Sequence, residues 1–232
     1  MQFTFALFAA AALLTPVYSN AIPPMIRRES DLKIESCTTS QQAVVEAAVQ
    51  RAASVAKAAA DAAVNGDANI FEEFFRTTDT ASRQDVAARF EAIANEASNF
   101  GSGNVTFNCG NDEKQGVCRK GVLAYALSGS NKVVTCPDWY KIVAATDNCG
   151  GTDQGTAMVH ELSHLSVVYS PGTGDFAYKY NDLVQLSADK AVLNADTYSL
   201  YASAIELDCQ KGESKGVELP DWMIDEIANG KQ

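Results

Sequence analysis

His160-Glu161-Leu162-Ser163-His164 has the form H-E-x-x-H, and it contains both histidines of a 232-residue chain. If the stretch is helical, positions i and i+4 stack on one face, one turn apart. Two imidazoles so placed can share one Zn²⁺, and the glutamate between them can reach a water that the ion activates. The same spacing can also arise on an ordinary helix that carries two partly exposed polar histidines. Two features weigh against that. The chain has no other histidine, and Ala157, Met158, Leu162, Leu165 and Val168 surround the motif with apolar side chains. A buried helix that places both histidines one turn apart predicts a metal centre of the kind used for peptide hydrolysis.

A catalytic Zn²⁺ generally takes three protein ligands and leaves a fourth position open. Histidine cannot supply the third, because none remains. The residues after the motif, Leu165-Ser166-Val167-Val168-Tyr169-Ser170, also exclude the longer pattern with a third histidine. A cysteine ligand would leave an odd thiol, so a carboxylate is expected. Asp175 is the best candidate. It follows Ser170-Pro171-Gly172-Thr173-Gly174, a loop that can fold back on the helix, and glycines at 172 and 174 permit unusual backbone angles. A plain turn aspartate would look the same. Asp182, Asp189, Asp196 and Glu206 on later segments remain rivals.

Working outward, the amino-terminal 1–19 reads as a secretory signal. Residues 3–14 are apolar apart from Thr4, and Val17 and Ser19 suit signal-peptidase cleavage after Ser19. The apolar run is too short to span a bilayer, and no later segment can. Arg27-Arg28 marks a dibasic processing site, so 20–28 reads as a short propeptide or leader of a zymogen. The mature chain contains six cysteines, an even number in an oxidising compartment, which predicts three disulfides. No C-x-x-C pair occurs. Asn104-Val105-Thr106 is a glycosylation sequon at Asn104. The composition is globular, 47% apolar and 20% charged, with a net charge of −11. Such a surface repels nucleic-acid phosphates; it either attracts basic polypeptides or serves only to keep the chain in solution.

Residues 38–65 are alanine-rich with spaced valines and predict a long helix, capped by Ser40 or Thr39 and ended by Gly66. A short amphipathic helix follows at 70–75 with its aromatics inward. Asp79 or Thr80 starts a third helix, with Val86, Phe90, Ile93 and Ala97 at helical spacing. Short β-like runs at 105–109, 122–127 and 133–136 predict a small sheet beside the metal helix. Asp153 or Thr156 begins that helix. Two more helices are expected at 187–193 and 196–207, and a short one at 221–228. The fold class is therefore α+β, mostly helical, in one domain over 29–209 with a polar tail at 210–232.

His160-Glu161-x-x-His164 followed by Gly172-Thr173-x-Asp175-x-x-Tyr178 resembles the aspzincin signature, and most nearly the deuterolysins, secreted fungal neutral zinc metallopeptidases. The resemblance runs from Cys37 to Cys209 and includes Asn194-Ala195-Asp196-Thr197-Tyr198. It implies a zincin-like metalloprotease fold and one Zn²⁺ held by His160, His164 and Asp175. It also implies disulfides Cys37–Cys109, Cys118–Cys136 and Cys149–Cys209. Lys179 stands where the family usually has Gly, which predicts a local change of backbone. The leader is shorter than the usual pro-segment, and the tail is extra.

The expected protein is a secreted, extracellular, monomeric metalloendopeptidase acting on protein or peptide substrates and favouring basic ones. Glu161 would serve as general base and Tyr178 as donor to the oxyanion. Asp196 would either line a pocket for a substrate Lys or Arg or cap the last helix. The alternative is a secreted effector or pseudo-enzyme that keeps the fold and binds a partner without proteolysis.

Overall fold

The computed structural model describes residues 32–99, 102–110 and 117–214. The expected signal segment, the Arg27-Arg28 leader and the helix at 221–228 lie outside the described residues. Helix α1 (Thr39–Asn65) runs through the centre of the molecule and packs on α3 (Thr80–Ser98), α4 (Gln154–His164) and α7 (Ala195–Glu206). Its composition explains this. Ala48, Ala52, Ala56, Ala59 and Ala63 are buried along it, and small side chains on a strong helix former let neighbouring helices approach closely. Thr38, not Ser40 or Thr39, is the cap. Its hydroxyl accepts from Gln41 N while the Gln41 side chain accepts from Thr38 N, so two amino-terminal N–H groups are satisfied reciprocally.

Helix α2 (Ala68–Phe75) buries Phe71, Phe74 and Phe75. These rings meet Tyr198 and Tyr201 of α7 edge-on, at centroid distances of 5.2–5.9 Å. Phe90 of α3 closes the cluster at 5.0 Å from Tyr198. Such pairs contribute about 0.5–1.5 kcal/mol each beyond their burial. They fix α7, whose first turn lies at the site described below.

The sheet has the order β1-β2-β4-β3, formed by β1 (Ile34–Glu35), β2 (Thr106–Asn108), β3 (Ala124–Leu127) and β4 (Lys132–Thr135). β1 pairs with β2 and β2 with β4 in parallel, and β3 pairs with β4 antiparallel. β3 packs against α4, which places the sheet beside the histidine helix. The two short helices α5 (Tyr180–Leu183) and α6 (Ala188–Ala191) fill the path from the Asp175 loop to α7. Disulfides join Cys37 to Cys109, Cys118 to Cys136 and Cys149 to Cys209. The first joins the residues following β1 and β2, and the last ties the loop before α4 to the end of α7. No helix among the described residues is long and apolar enough to cross a membrane.

Asp153 organises the start of α4. It is fully buried, and its Oδ1 accepts from Thr156 N at 2.8 Å, capping the helix. Its Oδ2 accepts from Arg51 Nη2 at 2.6 Å, from Arg51 Nε at 3.1 Å and from Thr146 N at 3.0 Å. Arg51 also pairs with Glu206 of α7, which removes Glu206 from the set of metal-ligand candidates. The Arg51 stem crosses α4 at Gly155, where a Cβ would stand 2.5 Å from Arg51 Cγ. One carboxylate thus joins α1, α4 and the loop at 146. Asp153→Ala removes a cap worth about 1 kcal/mol and half of a buried ion pair whose breakage costs about 3–5 kcal/mol. Because Glu206 still neutralises Arg51, the expected loss is near the lower end, roughly 3 kcal/mol. Urea unfolding followed by circular dichroism measures it, and a loss below about 1 kcal/mol would refute this role for Asp153.

Candidate metal centre

Helix α4 ends at His164, so its last turn carries the whole motif. Met158, Val159 and Leu162 are fully buried, and this apolar face holds the opposite face toward the site. Past the helix the chain turns back through Ser170–Thr173. Thr173 N donates to Ser163 O at 3.0 Å, and the Ser163 and Thr173 hydroxyls share a hydrogen bond of 2.7 Å. A Cβ on Gly172 would lie 2.0 Å from His164 O, so only glycine lets the loop pass the helix end this closely. The positive-φ glycines of the chain do not include Gly172 or Gly174. Gly172 serves close approach, not the unusual angles expected from sequence. Arg89 of α3 holds the loop from beneath. It is fully buried, donates from Nη1 to Pro171 O at 2.7 Å, and lies under the Tyr169 ring at 4.7 Å.

The return brings Asp175 to the histidines. Its Oδ1 is 3.2 Å from His160 Nε2 and 3.4 Å from His164 Nε2, and the two Nε2 atoms are 3.1 Å apart. The other ring nitrogens are held from behind. His160 Nδ1 lies 3.1 Å from Asp196 Oδ1, and His164 Nδ1 lies 3.0 Å from Thr173 O. A carbonyl or an ionised carboxylate can only accept, so both Nδ1 atoms carry a proton, and Nε2 is the nitrogen of each ring that faces the shared point.

This donor set fits a divalent ion. Ligand atoms about 2.0–2.1 Å from a tetrahedral centre stand about 3.3 Å apart, which matches the three measured separations. The outer partners are those that metal-bound imidazoles require. Two imidazoles and one carboxylate suit Zn²⁺. Burial alone would lower His160, yet its bonds to Asp175 and Asp196 lift it well above the usual imidazole range. His164 rises against the same burial through Asp175. Burial would raise Asp175, but both imidazoles hold it far below the usual carboxylate range.

Glu161 lies between the ligating positions and is buried. Burial raises its carboxyl above the ordinary value, although the two imidazoles oppose the shift. Tyr178 stacks on His160, with ring centroids 6.2 Å apart and planes inclined by 15°. Burial, then the charge of Asp175 and a hydrogen bond to it, push the Tyr178 hydroxyl far above its usual value, so it remains a donor.

Asp196 does not cap α7; the cap position is Asn194. One Asp196 oxygen faces His160, and the other accepts from Lys179 N at 2.9 Å. Lys179 has φ 67° and ψ 150°, a conformation that suits glycine and costs other residues about 1–3 kcal/mol. The lysine thus adopts a glycine-like backbone there. Asp182 and Asp189 are exposed on α5 and α6. Asn104 of the sequon is exposed before β2.

Sequence reasoning missed Arg89, and it met Thr173 only as a member of the family signature, without its role behind His164. Arg89 had a signal: it lies on the α3 face defined by Val86, Phe90 and Ile93, where a charged side chain is out of place. Thr173 acts through its carbonyl, which no side-chain pattern marks.

Several known proteins resemble this chain over most of its length. A neutral protease 2 homologue of Blastomyces gilchristii is 42% identical over 184 residues, covering 79% of this chain and 50% of that protein. Penicillolysin of Penicillium citrinum is 41% identical over 193 residues, covering 82% of this chain and 53% of its own length. The chain spans about half the length of the curated relatives it matches. Among solved structures, a zinc peptidase from Grifola frondosa has a similar fold, with a TM-score of 0.58 and 22% identity, covering 72% of this chain and 97% of that one. Residues 9–209 match the deuterolysin metalloprotease (M35) family, and the chain belongs to that family.

Proposed function

We propose that the protein is a secreted, zinc-dependent metalloendopeptidase that hydrolyses peptide bonds in proteins. The observation that carries this reading is the convergence of His160 Nε2, His164 Nε2 and an Asp175 oxygen within 4.8 Å of one another. One ion per chain would be held by these three atoms. Bound there, zinc supplies Lewis acidity toward a water and the scissile carbonyl. Glu161 accepts the proton of the attacking water and delivers it to the leaving amine. Tyr178, kept protonated, donates its hydroxyl to the oxygen that becomes negative in the transition state. Thr173 O and Asp196 hold the imidazoles in the tautomer that leaves Nε2 free.

Several finer features belong to the same reading. Residues 1–19 direct secretion, 20–28 form a short leader removed after Arg28, and 29–209 form the peptidase domain. The three disulfides suit an oxidising compartment. The mature chain acts as a monomer. The net charge of −11 supports a preference for basic polypeptides. Asp196 serves this preference only indirectly, since both of its oxygens are engaged within the protein.

The test is casein hydrolysis by the purified mature chain. Activity is expected to vanish in a strong chelator and to return with added Zn²⁺. Hydrolysis that persists in chelator overturns the reading. So does a zinc-loaded chain with no hydrolysis, which points instead to a protein that binds a partner.

A further inference from the structure

Asn194 is fully buried at the start of α7, and its side chain makes no capping bond to a backbone N–H of that helix. Its Oδ1 accepts from Phe176 N at 2.8 Å and from Ala177 N at 3.0 Å. Its Nδ2 donates to Ala177 O at 3.0 Å and to Thr197 Oγ1 at 3.1 Å. An amide has two acceptor sites and two donor hydrogens, so all of its capacity is used. Three of the four bonds go to the backbone between Asp175 and Tyr178.

The main chain extends the same seam on both sides. Gly174 N donates to Leu193 O at 2.8 Å, and Ala195 N donates to Gly174 O at 3.0 Å, a parallel bridge just before Asp175. On the far side, Lys179 N donates to Asp196 Oδ2. The segment 174–179 therefore lies along the start of α7 like a strand on a sheet edge. In its middle the amide of Asn194 takes the place of a neighbouring backbone. Asp175 sits between the bridge and the amide, and Tyr178 sits between the amide and the Lys179 bond.

We infer that Asn194 is a positioning residue that sets the placement of Asp175 and Tyr178 together. Its hydrogen bonds go to neither of these side chains. It acts on both through a segment that has no regular secondary structure of its own. α7 is rigid because its tyrosines are locked in the aromatic cluster, so the seam transmits the position of the core to the site. Removing the amide leaves two N–H groups and a carbonyl without partners, and the segment between the two functional side chains loses its register. The clamp itself stands on the hydrogen bonds alone; the tasks of Asp175 and Tyr178 rest on the peptidase reading.

The test compares Asn194→Ala with Val45→Ala, a core variant in the first half of α1 that lowers general stability. Amide hydrogen exchange in the metal-free protein is read at Phe176 and Ala177. Protection is expected to fall by about 100-fold at these two amides in Asn194→Ala and to survive in Val45→Ala. In Asn194→Ala, zinc affinity measured by chelator competition should fall by about 10–100-fold. The kcat should fall by about 100-fold with KM little changed, since a displacement of about 1 Å at a catalytic group has that effect. Val45→Ala should keep both. Should Asn194→Ala remain cooperatively folded, as near-ultraviolet circular dichroism reads, with protection, zinc affinity and kcat at wild-type level, the inference is overturned. If the two variants lose protection and kcat alike, the effect is general destabilisation and the inference is also overturned. A wild-type chain that binds no zinc, or binds it without hydrolysis, would refute the peptidase reading instead; the exchange experiment would still decide the clamp.

Discussion

Glu161→Gln is expected to keep its zinc and lose nearly all hydrolysis. The substitution is isosteric, so the buried packing of α4 is retained. The three converging ligand atoms belong to His160, His164 and Asp175, so none is removed. The amide, however, cannot take a proton from water at neutral pH. General acid–base catalysis contributes about 10²–10⁴-fold, and one group here serves both the attack and the departure of the amine, so the fall in kcat is expected near 10⁴-fold. KM should change little, because the lost interaction matters only in the transition state. Removing a buried carboxylate also removes the cost of burying its charge, which outweighs the attraction of the two imidazoles lost with it, so the variant should be no less stable than the parent. Peptide hydrolysis and metal analysis on the same preparation decide the matter. Activity within tenfold of wild type would exclude Glu161 as the base. Loss of zinc with loss of activity would mean that Glu161 helps to hold the ion.

The helices that carry the site were legible because their signals are local. The alanine run gives α1, and Asp79 and Asp153 cap α3 and α4 as single residues with a reachable N–H. The histidine pair was legible because i, i+4 spacing is a property of one helix. Other features are not local. β1 is two residues long and exists only through its pairing with Phe107 and Asn108, far along the chain. α5 follows Lys179, whose positive φ accompanies its bond to Asp196 of α7 and not a preference of lysine. Asp196 illustrates the limit most clearly. An acid in the first turn of a helix can face the helix end, the solvent or a neighbouring element. Here the choice is made by where α7 sits against α4, which the aromatic cluster determines. The candidate third ligand was only partly legible for the same reason: the Gly/Pro loop singled out Asp175, but its return onto α4 is settled by contacts with α7 that are distant in sequence.

Asp175→Ala separates metal binding from proton transfer in the way that Glu161→Gln cannot. Among the three ligand atoms it removes the only anionic one. The histidines would remain held by Thr173 O and Asp196, so a two-imidazole site survives, lacking the charge that offsets the ion. Loss of an outer partner of a ligand costs about 10–100-fold in metal affinity, and loss of a ligand should exceed that. Dialysis should therefore strip zinc from the variant under conditions where wild type retains it. A second measurement makes the result independent of catalysis. A ligand that binds only the folded state stabilises it by about 2.7 kcal/mol at 100 times its Kd. Added zinc should raise the melting temperature of wild type and leave that of Asp175→Ala nearly unchanged at the same concentration. Glu161→Gln should respond to zinc as wild type does. If Asp175→Ala keeps both its zinc and its thermal response, the ion is held by another set of atoms, and the roles assigned to Glu161 and Tyr178 around it fall with that assignment.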